Sequence, residues 1–95
     1  MNESVGLKKC FISGLKIADA VNDLSDLVFL ALWDDALKKI DELRKLKHEP
    51  EECGIYLSMM FEYLDRLENE IRGQHYDLAY YTIAAIREEL DQFFK

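Results

Sequence analysis

Shifting residues 8–49 onto 51–92, a displacement of 43, brings seven identical pairs into register: Cys10/Cys53, Ile12/Ile55, Leu24/Leu67, Asp34/Asp77, Ala36/Ala79, Ile40/Ile83 and Arg44/Arg87. Others agree in kind, among them Asp19/Glu62, Val21/Leu64, Val28/Ile71, Trp33/Tyr76 and Leu43/Ile86. The matched apolar positions fall at helical spacing, so each half reads as a helical hairpin. The densest block sets Trp33-Asp34-Asp35-Ala36 against Tyr76-Asp77-Leu78-Ala79, where an aromatic, an acid and a small residue open a helix. No alternating run of β-branched or aromatic residues bounded by turns is present, so no strand is expected. The expected fold is all-α: an antiparallel four-helix bundle in one domain, 1–95, built from hairpins 4–48 and 50–94. An internal duplication with a period of 43 would account for the echo.

Two signals disagree about the first hairpin. Helix one is expected over 4–22, with Ser4 as N-cap and Val5, Cys10, Phe11, Leu15, Ala18 and Val21 on its apolar stripe. Asn22, Asp23, Ser25 and Asp26 are cap and turn formers, which predicts a break at 22–26 and a second helix from about Ser25 to Lys47. The echo instead places the turn near Leu30, opposite Gly73. The local chemistry is the stronger signal by type, so the break at 22–26 is the expectation. In the second hairpin, Pro50 opens a helix over about 50–72, with Glu51 and Glu52 favourable in its first turn. Met60, Leu64, Leu67 and Ile71 form its main stripe, widened by Ile55, Met59 and Tyr63. Gly73 reads as its C-terminal cap. Helix four is expected over about 76–94, with Tyr76, Ala79, Tyr80, Ile83, Ile86, Leu90 and Phe93 on one face.

The run Leu27-Val28-Phe29-Leu30-Ala31-Leu32-Trp33 is apolar on all sides of a helix, more than one small core can cover. It predicts a homodimer with the first half of helix two at the interface. The candidate contact residues are Leu27, Phe29, Leu30, Trp33, Tyr56, Tyr63, Tyr80 and Tyr81, tyrosine being common at binding hot spots.

Net charge is −7, of which residues 1–49 carry −1 (8 bases, 9 acids) and residues 50–95 carry −6 (4 bases, 10 acids). Such a surface repels phosphate backbones, so nucleic acid is not an expected partner. Lys38, Lys39, Arg44, Lys45 and Lys47 are balanced by nearby acids and read as a solvated helix face. No stretch reaches the ~20 apolar residues of a membrane span, and residues 1–20 lack the apolar core of a secretory signal. A cytoplasmic location with no membrane association is expected. Two cysteines do not make a disulfide framework, and Cys10 and Cys53 read as small buried residues rather than as a redox or zinc pair.

Sites for chemistry are thin. His48, Glu49, Glu51, Glu52 and Cys53 include metal-ligand types, but they straddle Pro50 and read as solvated loop charges. No Glu-x-x-His pair or Gly-rich phosphate loop is present. Neither His48 nor His75 is in helical phase with a cysteine. No catalytic residue, cofactor or metal is assigned. The charged positions repeated in both halves, Asp34, Asp77, Arg44 and Arg87, read as ion pairs or dipole complements.

The Trp33-Asp34-Asp35-Ala36-Leu37 and Tyr76-Asp77-Leu78-Ala79 blocks resemble the opening of tetratricopeptide helices over about five residues each, but the period is 43 where that family has about 34. The resemblance implies a shared way of packing a hairpin: alanine lets two helices approach, and the aromatic closes the gap. The function expected from these features is a small acidic protein–protein interaction or assembly module. An enzyme or cofactor-binding bundle with its site at a dimer interface is one alternative. An acidic inhibitor or immunity-type protein is the other.

Overall fold

The computed structural model describes residues 2–47 and 57–93, with side chains from Lys9 onward. These residues form four helices and no strand: α1 (Asn2–Phe29), α2 (Trp33–Leu46), α3 (Ser58–Arg72) and α4 (Tyr76–Phe93). The helices pair as α1 with α2 and α3 with α4, and α1 against α4 and α2 against α3 close the core between the hairpins. The described part is elongated, 48 × 22 × 18 Å. Its long axis is set by α1, whose 28 residues span about 42 Å at 1.5 Å per residue.

The core follows from heptad spacing. On α1 the buried seam is Cys10, Gly14, Ile17, Val21, Leu24 and Val28, alternating steps of four and three, with Ser25 buried beside it. At the entry to α3 and along it the buried positions include Leu57, Met60, Leu64, Leu67 and Ile71, each 43 residues after its α1 counterpart from Gly14 to Val28. Ala36, Ile40 and Leu43 on α2 correspond in the same way to Ala79, Ile83 and Ile86 on α4. A spacing of 3.5 keeps one seam of each helix facing its neighbours along the whole contact.

The two turns are also alike in backbone. After α1, Leu30 N–H donates to the Asp26 carbonyl, Ala31 to Val28 and Leu32 to Leu27. After α3, Gly73 donates to Asn69, Gln74 to Ile71 and His75 to Glu70, the same three bonds 43 residues on. The crossed pair of bonds is a Schellman motif, in which the residue past the cap turns left-handed and satisfies the last carbonyls. That residue is Ala31 (φ 58°) in the first turn and Gln74 (φ 62°) in the second.

Several sequence expectations are corrected. The break at 22–26 does not occur, and α1 continues to Phe29. Leu24 and Val28 are fully buried and Ser25 nearly so, and this burial holds the segment helical despite its cap-forming residues. Helix two therefore begins at Trp33, and the echo located the turn correctly. Phe11 and Leu15 are exposed, because the seam runs through Ile17, Leu24 and Val28 rather than through them. Ser4 lies inside α1, not at its cap. The helix ending at Arg72 begins at Ser58, and buried Leu57 (φ −106°, ψ 12°) is its N-cap and anchors the entry to the core, while the expected stretch 50–56 lies outside the described residues. Gly73 is the C-cap of α3, as expected, but its φ is −84° and the left-handed residue is the next one. A Cβ on Gly73 would lie 2.9 Å from the His75 ring, so glycine here makes room for that ring. Cys10 is buried, as expected, but it is disulfide-bonded. The chain's other cysteine, Cys53, lies outside the described residues, as do His48, Glu49, Pro50, Glu51, Glu52, Ile55, Tyr56 and Phe94.

Candidate interaction face at the turn end

Both three-residue turns lie at one end of the molecule, and they bring four aromatic rings together. Phe29 closes α1, Trp33 opens α2, and Tyr76 and Tyr80 occupy the first two turns of α4. Trp33 lies flat on Tyr76, with ring centroids 4.3 Å apart and planes 8° apart. These two residues hold equivalent positions in the two hairpins, so the stack joins the hairpins at matching points. Tyr80 meets the Trp33 ring edge-on at 6.1 Å and stacks on Phe29 at 5.8 Å. Such pairs contribute about 0.5–1.5 kcal/mol each beyond the area they bury.

Around this cluster lies apolar surface that the core does not use. Phe29 is 60% exposed, Leu30 68%, Leu32 45% and Tyr81 77%. Leu78, on the first turns of α4, is also open to solvent. The second turn has the same backbone but carries Arg72, Gly73 and His75 where the first has Phe29, Leu30 and Leu32. The turn geometry therefore does not require apolar side chains.

Of the residues expected from sequence to form an interface, Phe29, Leu30 and Tyr81 are exposed at this end, and Trp33 and Tyr80 form its stack. Leu27 and Tyr63 are only partly buried and pack against the core cluster. Tyr56 is outside the described residues. The sequence alone does not single out Leu32 or Leu78. Leu32 sat within the apolar run, but only the position of the turn shows that it is exposed. A second exposed group, Phe11, Ile12, Leu15 and Met59, lies on the N-terminal part of α1 and the start of α3.

The charged positions shared by the two halves behave differently in each. Arg44 on α2 reaches α3, where it donates to Asp65 and Glu68, both at 2.7 Å, and it also pairs with Asp41 on its own helix at 3.2 Å. Arg72 completes the group by donating to Glu68 at 3.1 Å. The Arg44 hydrogen bond holds the Glu68 carboxyl below its ordinary range, and the same bond makes the Arg44 guanidinium harder to deprotonate. Arg87, the counterpart of Arg44 on α4, is exposed and has no ion pair among the described residues. Asp34 and Asp77 sit in the first turns of α2 and α4, where the helix dipole favours a carboxylate. Within α1 and α2, Lys39 pairs with Glu42 at 2.8 Å and lies 3.8 Å from Asp23. The Glu42 hydrogen bond raises the lysine's pKa and lowers the glutamate's. The Thr82 hydroxyl donates to Glu70, tying α4 to α3.

Among the described residues, no group of three His, Cys, Asp or Glu side chains is placed to hold a metal ion, and no helix is long and apolar enough to cross a membrane. No protein-family model, no curated protein and no solved structure matches this chain.

Proposed function

We propose that this protein is a non-catalytic protein–protein interaction or assembly module, and that its contact face is the turn end of the first hairpin. One observation carries the reading: two turns of the same backbone differ in surface, one apolar and exposed, the other polar. Exposed contiguous apolar surface on a small domain marks a contact site more often than a structural need. Nucleic acid is left out of the proposal because the second half carries −6.

The homodimer expected from residues 27–33 is one form this contact can take. The duplication belongs to it as well, supported by the shared turn bonds and the matching buried positions. Light scattering over a dilution series tests the self-association. A dimer that dissociates on Leu30→Gln supports it, and a monomer at every concentration ends it. A photo-crosslinking phenylalanine analogue at position 81, used in living cells, tests the wider reading. Absence of any adduct, in a protein that is also monomeric, would sink the interaction module.

A cytoplasmic location is carried as part of the proposal, and cell fractionation tests it. Recovery of the protein in the cytosolic fraction supports the location, and recovery in a membrane or secreted fraction overturns it.

A further inference from the structure

The turn face carries a charge pattern that narrows what covers it. Asp26 lies one helical turn before Leu30, Asp34 and Asp35 follow Leu32, and Asp77 lies one turn before Tyr80 and Tyr81. All four are exposed, and none has an ion-pair partner among the described residues. Of the neighbouring cations, Arg72 is engaged by Glu68, and Lys38 lies a turn further along α2. The dipole accounts for the three aspartates in first turns. It works against Asp26, which occupies the last turn of α1 at the negative end of the helix. The equivalent residue in the last turn of α3 is the neutral Asn69. The first hairpin thus departs from its twin twice at one place, in apolar residues and in an acid that its own helix disfavours.

We infer that this face takes a cationic amphipathic segment of another protein. Aliphatic or aromatic side chains of that segment cover Phe29, Leu30 and Leu32, and its lysines or arginines meet Asp26, Asp34 and Asp35. The inference rests on the interaction-module reading and names the chemistry of the partner. A second copy of this chain fits less well, because a twofold interface sets a patch against itself and brings the two acidic rims together.

Trp33, the chain's one tryptophan, sits in the aromatic cluster beside this face and serves as the reporter. The probe is a synthetic amphipathic helix of about 14 residues with leucine on one face and lysine on the other, compared with the same peptide carrying glutamate for lysine. The lysine peptide is expected to change Trp33 emission saturably and the glutamate peptide to leave it unchanged. In the double variant Leu30→Gln/Leu32→Gln, shown to be helical by circular dichroism, affinity should fall at least about tenfold. Asp26→Asn should weaken binding by about threefold and reduce its salt dependence. Equal binding of both peptides, or an unchanged Kd in the double variant, overturns the inference. So does a monomer whose Trp33 emission ignores both peptides, and then the interaction reading loses its contact face too. A wild-type dimer that the double variant converts to monomer also overturns it, but leaves that reading standing with a second copy as occupant.

Discussion

The first turn, Leu30-Ala31-Leu32, and the second, Gly73-Gln74-His75, make the same three backbone bonds and expose opposite chemistry. A Schellman turn asks that one residue turn left-handed and that the last carbonyls be satisfied, and it leaves the outward side chains free. Neither turn places glycine at the left-handed position. The second turn has its glycine one residue early, beside the His75 ring. The comparison separates what the hairpin requires, which both halves share, from what only the first half presents to solvent. The same separation holds along the helices. The α2–α3 seam is tied by Arg44, while its counterpart Arg87 on α4 reaches no carboxylate among the described residues.

The largest test of this equivalence lies in the core. Leu24 and Leu67 are both fully buried at matching positions, so Leu24→Ala and Leu67→Ala should each cost about 2–5 kcal/mol. Chemical denaturation that finds the two costs within about 1 kcal/mol of each other sharpens the comparison, and a wider gap breaks it. Cys10 comes next: Cys10→Ser should cost about 2–4 kcal/mol, a typical loss for a disulfide, and reductant should bring the wild-type melting temperature down toward that of the variant.

The seams should differ by less. Arg44→Met should lose about 1 kcal/mol, since solvent screens a network that is partly exposed, and Arg87→Met should stay within about 0.5 kcal/mol of wild type. The pH dependence follows from Glu68. Its folded pKa lies below the ordinary 4.5, so its contribution is complete above that value and is lost as pH falls through the folded pKa. Melting temperature should therefore drop below about pH 4.5, and more shallowly in Glu68→Gln. A Glu68→Gln profile identical to wild type would remove the Arg44 network from the account. A modest gain rather than a loss is expected at the turns. Ala31→Gly and Gln74→Gly should each stabilise by about 0.5–1 kcal/mol, relieving a left-handed residue at some cost in chain entropy.

The second hairpin was largely legible in the sequence, and the first was not. Met60, Leu64, Leu67 and Ile71 stand out as a stripe on α3, and all are buried. On α1 the buried positions Ser25 and Gly14 interrupt the apolar pattern, while exposed Phe11 and Leu15 imitate it. Asn22, Asp23 and Asp26 carry real turn chemistry, but burial of Leu24 and Val28 outweighs it. The long-range echo held the missing information, because both halves had to solve the same packing problem. The contact face was visible only as an excess of apolar residues. Which of them are exposed depends on the position of the turn, and local propensity misplaced it by several residues.

The shortness of the turns has a kinetic consequence. Each hairpin closes through a three-residue loop, so its contacts are local in sequence and can form on the microsecond scale of small helical units. Contacts of α1 with α4 join segments far apart in sequence and carry the larger loop-closure cost. Docking of the two hairpins is then the expected late event in folding. The Trp33–Tyr76 stack, with one ring from each hairpin, is its natural clock: in a stopped-flow experiment tryptophan emission should reach its native value after helical ellipticity does.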